Sequence, residues 1–237
     1  MTAADADQSV EPLIPRHGGY RNLKSFQVAE LAYDVTVLFC ERFIDRRSRT
    51  HDQMVQAARS GVQNIAEGSQ DSGTSKKMEM KLTNVARGSL EELRRDYEDY
   101  LRQRGATPWP PAHPALRRFK SLRCATLAAF REWVAQEIRR EPGEHGRTQT
   151  DTDGHRPEQQ ASVPVREGPC SSVFSGAALP PAPPAAVCAA NGALSLLNLC
   201  CYLLDRQLAS QASAFQREGG FTERLYRTRS QTRAPRK

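Results

Sequence analysis

Five histidines, six cysteines and two pairs of adjacent acids are the residues of this 237-residue sequence whose types could support acid–base, nucleophilic or metal chemistry. The acid pairs are Glu91-Glu92 and Glu98-Asp99. Neighbours on a helix point about 100° apart, and arginines are interleaved with these acids, so the pairs read as a solvated helix face. The histidines, His17, His51, His113, His145 and His155, fall in four unrelated contexts: a leader, a helix start, a Pro-rich turn and a polar excursion. Such scatter assembles neither a catalytic triad nor a metal cluster. Cys40, Cys124, Cys170, Cys188, Cys200 and Cys201 contain no CxxC pair and no zinc-like spacing with a histidine. No glycine-rich phosphate loop follows a strand, and no strand pattern is present. The expectation is therefore no catalytic residue, no metal and no cofactor.

What remains is charge. The formal net charge is +7, and it is unevenly placed. Residues 1–105 are neutral overall, 106–140 carry seven basic against two acidic groups, 141–185 carry three against six, and 186–237 carry eight against three. Any polyanion site therefore belongs to the later segments, with Arg117, Arg118, Lys120, Arg123, Arg224, Arg227 and Arg229 as candidate nucleic-acid contacts. The aromatics of the basic stretch, Phe119, Phe130 and Trp133, fall on its apolar side, so base stacking gains no support from the pattern.

The elements that position these residues are helical. Val28, Leu31, Ala32, Val35, Leu38, Phe39 and Phe43 repeat at three and four, which predicts a helix over 25–46 after a flexible leader at 1–19. Thr50-His51-Asp52-Gln53 reads as a capping box that starts a helix over 51–67, with Gly68 as its left-handed stop. Met78, Leu82, Val85, Ser89, Leu93, Tyr97, Tyr100 and Leu101 predict a long helix over 75–103, with Glu91–Arg95 and Glu98–Arg102 as supporting pairs. Prolines between 108 and 114 break it, and an amphipathic helix follows over 115–140. Residues 141–185 are rich in Gly, Pro, Thr, Asp and Gln and read as a disordered linker. Val187, Ala190, Leu194, Leu197, Cys201, Leu204 and Leu208 then predict a packing helix over 186–212, with a basic tail behind it.

Residues 185–204 are also about long enough to span a bilayer. Asn191, Ser195 and Asn198 interrupt the run, and the heptad continues past Asp205 and Arg206, so bundle packing is favoured over membrane insertion. No basic region followed by an apolar run opens the sequence, and a reducing cytoplasm without disulfides is expected.

Two stretches carry a resemblance. Gln63-Asn64-Ile65-Ala66-Glu67-Gly68-Ser69, followed by Val85-Ala86-Arg87-Gly88-Ser89-Leu90-Glu91-Glu92-Leu93, resembles the signature of the bacterial four-helix-bundle proteins first met as products of intervening sequences in large-subunit ribosomal RNA genes. The similarity covers residues 20–104. The stretch from Leu203 to Leu225 looks like the branch of that family with a C-terminal suffix. The resemblance implies an up-down bundle, a ring of about five subunits and no established enzymatic activity. A related accessory protein of diversity-generating retroelements binds nucleic acid and a reverse transcriptase. The Arg-Arg pair that many members have at the start of the second helix is Val55-Gln56 here, and the proline before the Asn motif is Val62.

The signature residues Asn64, Glu67, Gly68, Gly88, Ser89 and Glu92 read as structural. Gly61 and Gly88 sit inside helices at about 1 kcal/mol each relative to Ala, which fits close helix approach, and Asn64 and Glu67 are placed to bond a neighbouring helix near Ser89 or Glu92. A catalytic carboxylate is the alternative there.

The expected architecture is thus an all-α, antiparallel up-down four-helix bundle with an additional helix and a long disordered insertion. The segments are a leader (1–19), three bundle helices (20–105), a Pro-rich turn and basic helix (106–140), a linker (141–185), and a packing helix with basic suffix tail (186–237). Regularity favours 186–212 as the fourth bundle helix, with 115–140 as the alternative. The expected function is a non-catalytic, homo-oligomeric scaffold or accessory protein with a protein partner. The second reading is a non-specific DNA- or RNA-binding protein, and an enzyme is the third.

Overall fold

The computed structural model describes residue 14, residues 17–140 and residues 179–233, with the side chains of 231–233 excepted. The described residues hold seven α-helices and one 3-10 turn at Tyr20–Asn22, with no strand among them: the fold is all-α. Residues 141–178 of the expected linker lie outside the described residues. So does most of the leader, but its last residues are docked: Gly18 N–H donates to Ser69 O at 2.9 Å, and Ser69 Oγ donates back to Gly18 O at 3.0 Å.

Helix α1 (Lys24–Phe43) buries Ala29, Ala32, Val35 and Phe39 along one stripe. Helix α2 (Arg49–Asp71) starts earlier than the Thr50 box predicts. The turn before it closes when Ser48 N–H donates to Asp45 O, so Ser48 becomes the cap and its Oγ accepts from Thr50 N–H at 3.2 Å. Gly68 does not stop α2, which runs a further turn to Asp71. At Gly68 the backbone of the next helix comes close: a Cβ there would lie 3.3 Å from Glu79 O and from Leu82 Cβ.

Helix α3 (Lys76–Gln103) is capped by Ser75, whose Oγ accepts from Met78 N–H at 3.1 Å. Its buried line is Thr83, Ala86, Leu90, Leu93, Tyr97 and Leu101, so the first half is rotated by about one residue from the expected line. Met78 and Val85 are left 40% and 42% exposed. The reason lies on α2, where Gly61 leaves room for Leu90 to press in. The surface ion pairs are also reassigned. Glu91 pairs with Arg94 and Asp99 with Arg102, each at 2.7 Å and three residues apart.

The expected single helix over 115–140 is two. Helix α4 (Pro114–Leu122) ends at Arg123, which adopts a left-handed φ of 46°. Helix α5 (Leu127–Arg139) restarts with Thr126 as its cap, the hydroxyl accepting from Ala129 N–H at 3.2 Å. Thr126 thus satisfies an orphan donor rather than filling an apolar face. Helix α6 (Pro184–Glu218) exceeds its expected span by two residues at the start and six at the end, terminating at Gly219 with φ 72°. Part of the basic tail is a separate helix, α7 (Phe221–Arg233).

Helix α6 packs directly on both α1 and α3, α2 packs on the same two, and α4 and α5 lie outside against α6. Contacts fix the directions. Ser25 Oγ, early in α1, donates to Gln207 Oε1 late in α6 at 2.8 Å, and Gln211 Nε2 donates to Thr83 Oγ1 early in α3 at 3.2 Å. At the core centre Tyr97 O–H donates to Thr36 Oγ1 at 3.1 Å, and Thr36 Oγ1 donates to Ala32 O. Helix α6 is long and apolar enough to cross a membrane by length and composition, yet 67% of its most apolar window is buried against its neighbours.

Candidate functional site

Of the signature residues, Asn64, Gly68 and Ser89 lie where α2 and α3 touch. A Cβ on Gly61 would lie 2.6 Å from Leu90 Cδ2 and 2.7 Å from its Cγ, so any larger residue here would displace Leu90. Beside it Asn64 Nδ2 donates to Ser60 O at 2.8 Å and to Ser60 Oγ at 3.2 Å, and Ser60 Oγ shares a 3.0 Å hydrogen bond with Ser89 Oγ. Asn64 therefore reaches Ser89 only through Ser60, rather than bonding a neighbouring helix itself. Glu67 and Glu92 are exposed and do not join this network. Gly88 departs from expectation too: it is exposed, and a Cβ there would meet nothing within 4 Å.

The chemically capable groups are dispersed. His51 Nδ1 lies 3.5 Å from Asp52 Oδ1, and His113 stacks on Trp109 with ring centroids 4.2 Å apart. His145 and His155 fall outside the described residues. No group of three His, Cys, Asp or Glu that could hold a metal ion occurs among the described residues. The five described cysteines are free, and burial is the main reason their thiols resist ionisation. Burial pushes Cys40 and Cys188 up to about 12 and Cys201 to about 11, and drives Cys200 higher still. The Glu137 carboxylate adds to the rise at Cys188, and the Arg118 guanidinium opposes it. Because the thiolate is the reactive form, a disulfide reagent at pH 8 is expected to modify Cys124 alone among these five in the native protein. Peptide mapping by mass spectrometry checks this, and modification of Cys40 or Cys200 without denaturant contradicts it.

The basic candidates divide. Arg118 is structural: its Nε and Nη2 donate to Glu137 Oε1 and Oε2 at 2.8 and 2.6 Å, joining α4 to α5. Arg117, Lys120 and Arg123 are exposed on or beside α4. Lys120 and Arg123 line a groove of about 820 Å³ whose walls come from α1, α4, α6 and the Pro-rich turn. Lys120 Nζ donates to Pro111 O at 3.3 Å, which holds that rim in place. Arg224 is half-buried, Arg229 is exposed, and Arg227 donates to Glu218 O, folding α7 back onto the end of α6. No α7 residue lines the groove, so the candidates on α4 and those on α7 form separate sets.

Sequence reasoning missed the groove's other members. Lys24, Trp109, Leu199 and Tyr202 line it alongside Lys120 and Arg123, and no periodicity brings positions 24, 109 and 202 together. The one available signal was on α6, where Leu199 and Tyr202 fall off the heptad line. A second groove of about 420 Å³ lies between α1, α5 and the start of α6. Its lining is largely apolar, with Arg42, Arg131 and Glu132 also contributing.

Comparison of the chain with models of known protein families, with curated proteins and with solved structures finds no match in any of the three.

Proposed function

We propose that the protein is a non-catalytic, self-associating scaffold or accessory protein of the cytoplasm, built as an up-down four-helix bundle of α1, α2, α3 and α6. On this reading α4 and α5 are an added outer pair, and the chain is a member of the bacterial intervening-sequence type with a C-terminal suffix. The observation that carries the reading is the α2–α3 contact. Gly61, Ser60, Asn64 and Ser89 are engaged in helix packing, and Glu67, the carboxylate a catalytic reading would recruit, stands exposed outside their network. The thiols of Cys40, Cys188 and Cys200 are held in the unreactive form by burial.

Self-association has its own support. Met78, Val85 and Gly88 lie on the outward side of α3, where apolar surface stands beside a backbone with open space above it. A second copy packing there would cover the apolar side chains and approach closely over the glycine. Val85→Glu places a charge in that contact, and the variant is expected to elute later than the wild type on size exclusion with an unchanged far-UV spectrum. Coincident elution of the two overturns this placement of the interface.

A nucleic-acid role is the second reading. It is favoured by the exposure of Arg117, Lys120, Arg123 and Arg229, which leaves these cations available to phosphates.

A further inference from the structure

We infer that the groove between α1, α4 and α6 binds single-stranded nucleic acid, with Tyr202 as the platform on which a base stacks and Lys24, Lys120 and Arg123 facing the backbone phosphates. The inference rests on the nucleic-acid reading and adds to it the strand class and the site.

Tyr202 carries the argument. It stands 55% exposed on a helix whose other large side chains are mostly buried, and the neighbouring Leu199 is 46% exposed. An apolar ring left open to solvent within a groove of about 820 Å³ presents a π-face to whatever enters. Arg206 steadies it from the next turn. Its Nη1 donates to the Tyr202 hydroxyl at 3.3 Å, and its guanidinium lies 6.0 Å from the ring centroid. Trp109, stacked on His113 and held by its backbone N–H donating to Asn191 Oδ1 at 2.7 Å, supplies a second rigid aromatic to the same lining.

The charged lining residues are Lys24, Lys120 and Arg123 against Glu30 and Glu98. Arg206, bonded to the lining residue Tyr202, adds a further cation beside the groove. An excess of cations beside an exposed aromatic is the combination that binds unpaired strands, because every base has a face to stack and every nucleotide a phosphate to neutralise. A duplex keeps its base faces stacked on one another and cannot offer one to Tyr202. The pairing of charge with aromatics arises only in the fold. Lys24, Trp109, Lys120, Arg123 and Tyr202 are spread over nearly 180 residues of sequence.

The test is fluorescence anisotropy of labelled 15-nucleotide oligo(dT) and oligo(rU), and of a hairpin duplex, with the full-length chain from 50 to 200 mM salt. The unpaired strands are expected to bind more tightly than the duplex. Tyr202→Ala is expected to weaken that binding by about 5- to 150-fold, while Tyr202→Phe retains it because the ring is kept. Lys120→Gln with Arg123→Gln is expected to lower the salt slope by about 1.4. All three positions are exposed, and far-UV spectra check that the variants fold. Binding insensitive to Tyr202→Ala but lost in Arg227→Gln with Arg229→Gln overturns the groove and leaves the nucleic-acid reading standing on α7. Preference for the duplex overturns the groove as well. No binding of any probe at 50 mM salt overturns both.

Discussion

Trp133→Ala is expected to lower the free energy of unfolding by about 3–5 kcal/mol, the range for removing a large buried aromatic and leaving a cavity. Trp133 is 1% exposed, and its ring centroid lies 4.6 Å from that of Phe119 on α4 and 5.7 Å from that of Phe130 on α5. Across the contact is Gly192 of α6, where a Cβ would come within 2.6 Å of the Trp133 ring and 2.8 Å of the Phe130 ring. The aromatic trio is therefore seated on bare α6 backbone, and removing the indole leaves a void bordered by atoms that cannot simply collapse into it. Urea unfolding followed by far-UV circular dichroism measures the effect. A loss below about 1 kcal/mol contradicts the account, since it would mean that α4 and α5 are not part of the cooperative core.

Glu137→Ala is expected to cost about 3–5 kcal/mol by a different route. The Glu137 side chain is 2% exposed and holds Arg118 through two parallel hydrogen bonds, with Arg140 at 3.9 Å from the same carboxylate. Taking the carboxylate away removes both of those charge-assisted hydrogen bonds from the Arg118 guanidinium, whose side chain is only 30% exposed. The control separates the pair's net worth from the penalty for breaking it. Arg118→Met combined with Glu137→Leu removes both charges and is expected to lie close to the wild type in stability. If the single and double replacements cost the same, the ion pair is not the source of the effect.

These two sites show which parts of the molecule could be read from the sequence. The long helices were legible because each has one stripe to bury and a turn before it. Val35 and Phe39, Leu93 and Tyr97, and Leu197 and Leu204 all lie where three-and-four spacing puts them. The errors have local causes. Two cap-competent residues stand close together at the start of α2, and Ser48 rather than Thr50 is the cap because the turn from Asp45 ends on it. Thr126 is apolar enough to continue a stripe and polar enough to cap, and the left-handed Arg123 decides between them. Glycine was ambiguous in the same way. Gly61, Gly68 and Gly192 all mark close approaches, whereas Gly88 lies open on the outside, and only the position of neighbouring helices distinguishes the two kinds.

The candidate sites were less legible than the fold. Arg117, Arg118, Lys120 and Arg123 look equivalent as a basic run, but the helix turns Arg118 inward to Glu137 and leaves the other three facing out. The groove needs α1, the Pro-rich turn, α4 and α6 together. A pattern that reports only separations of three and four residues carries no information about such a meeting.

The mass of the full-length chain in solution tests the central claim of a self-associating scaffold most directly. Sedimentation equilibrium from 1 to 100 μM is expected to return an integral multiple of the 26.4 kDa chain mass, with five subunits the multiple that the family resemblance implies. A single species of 26.4 kDa across that range contradicts the claim.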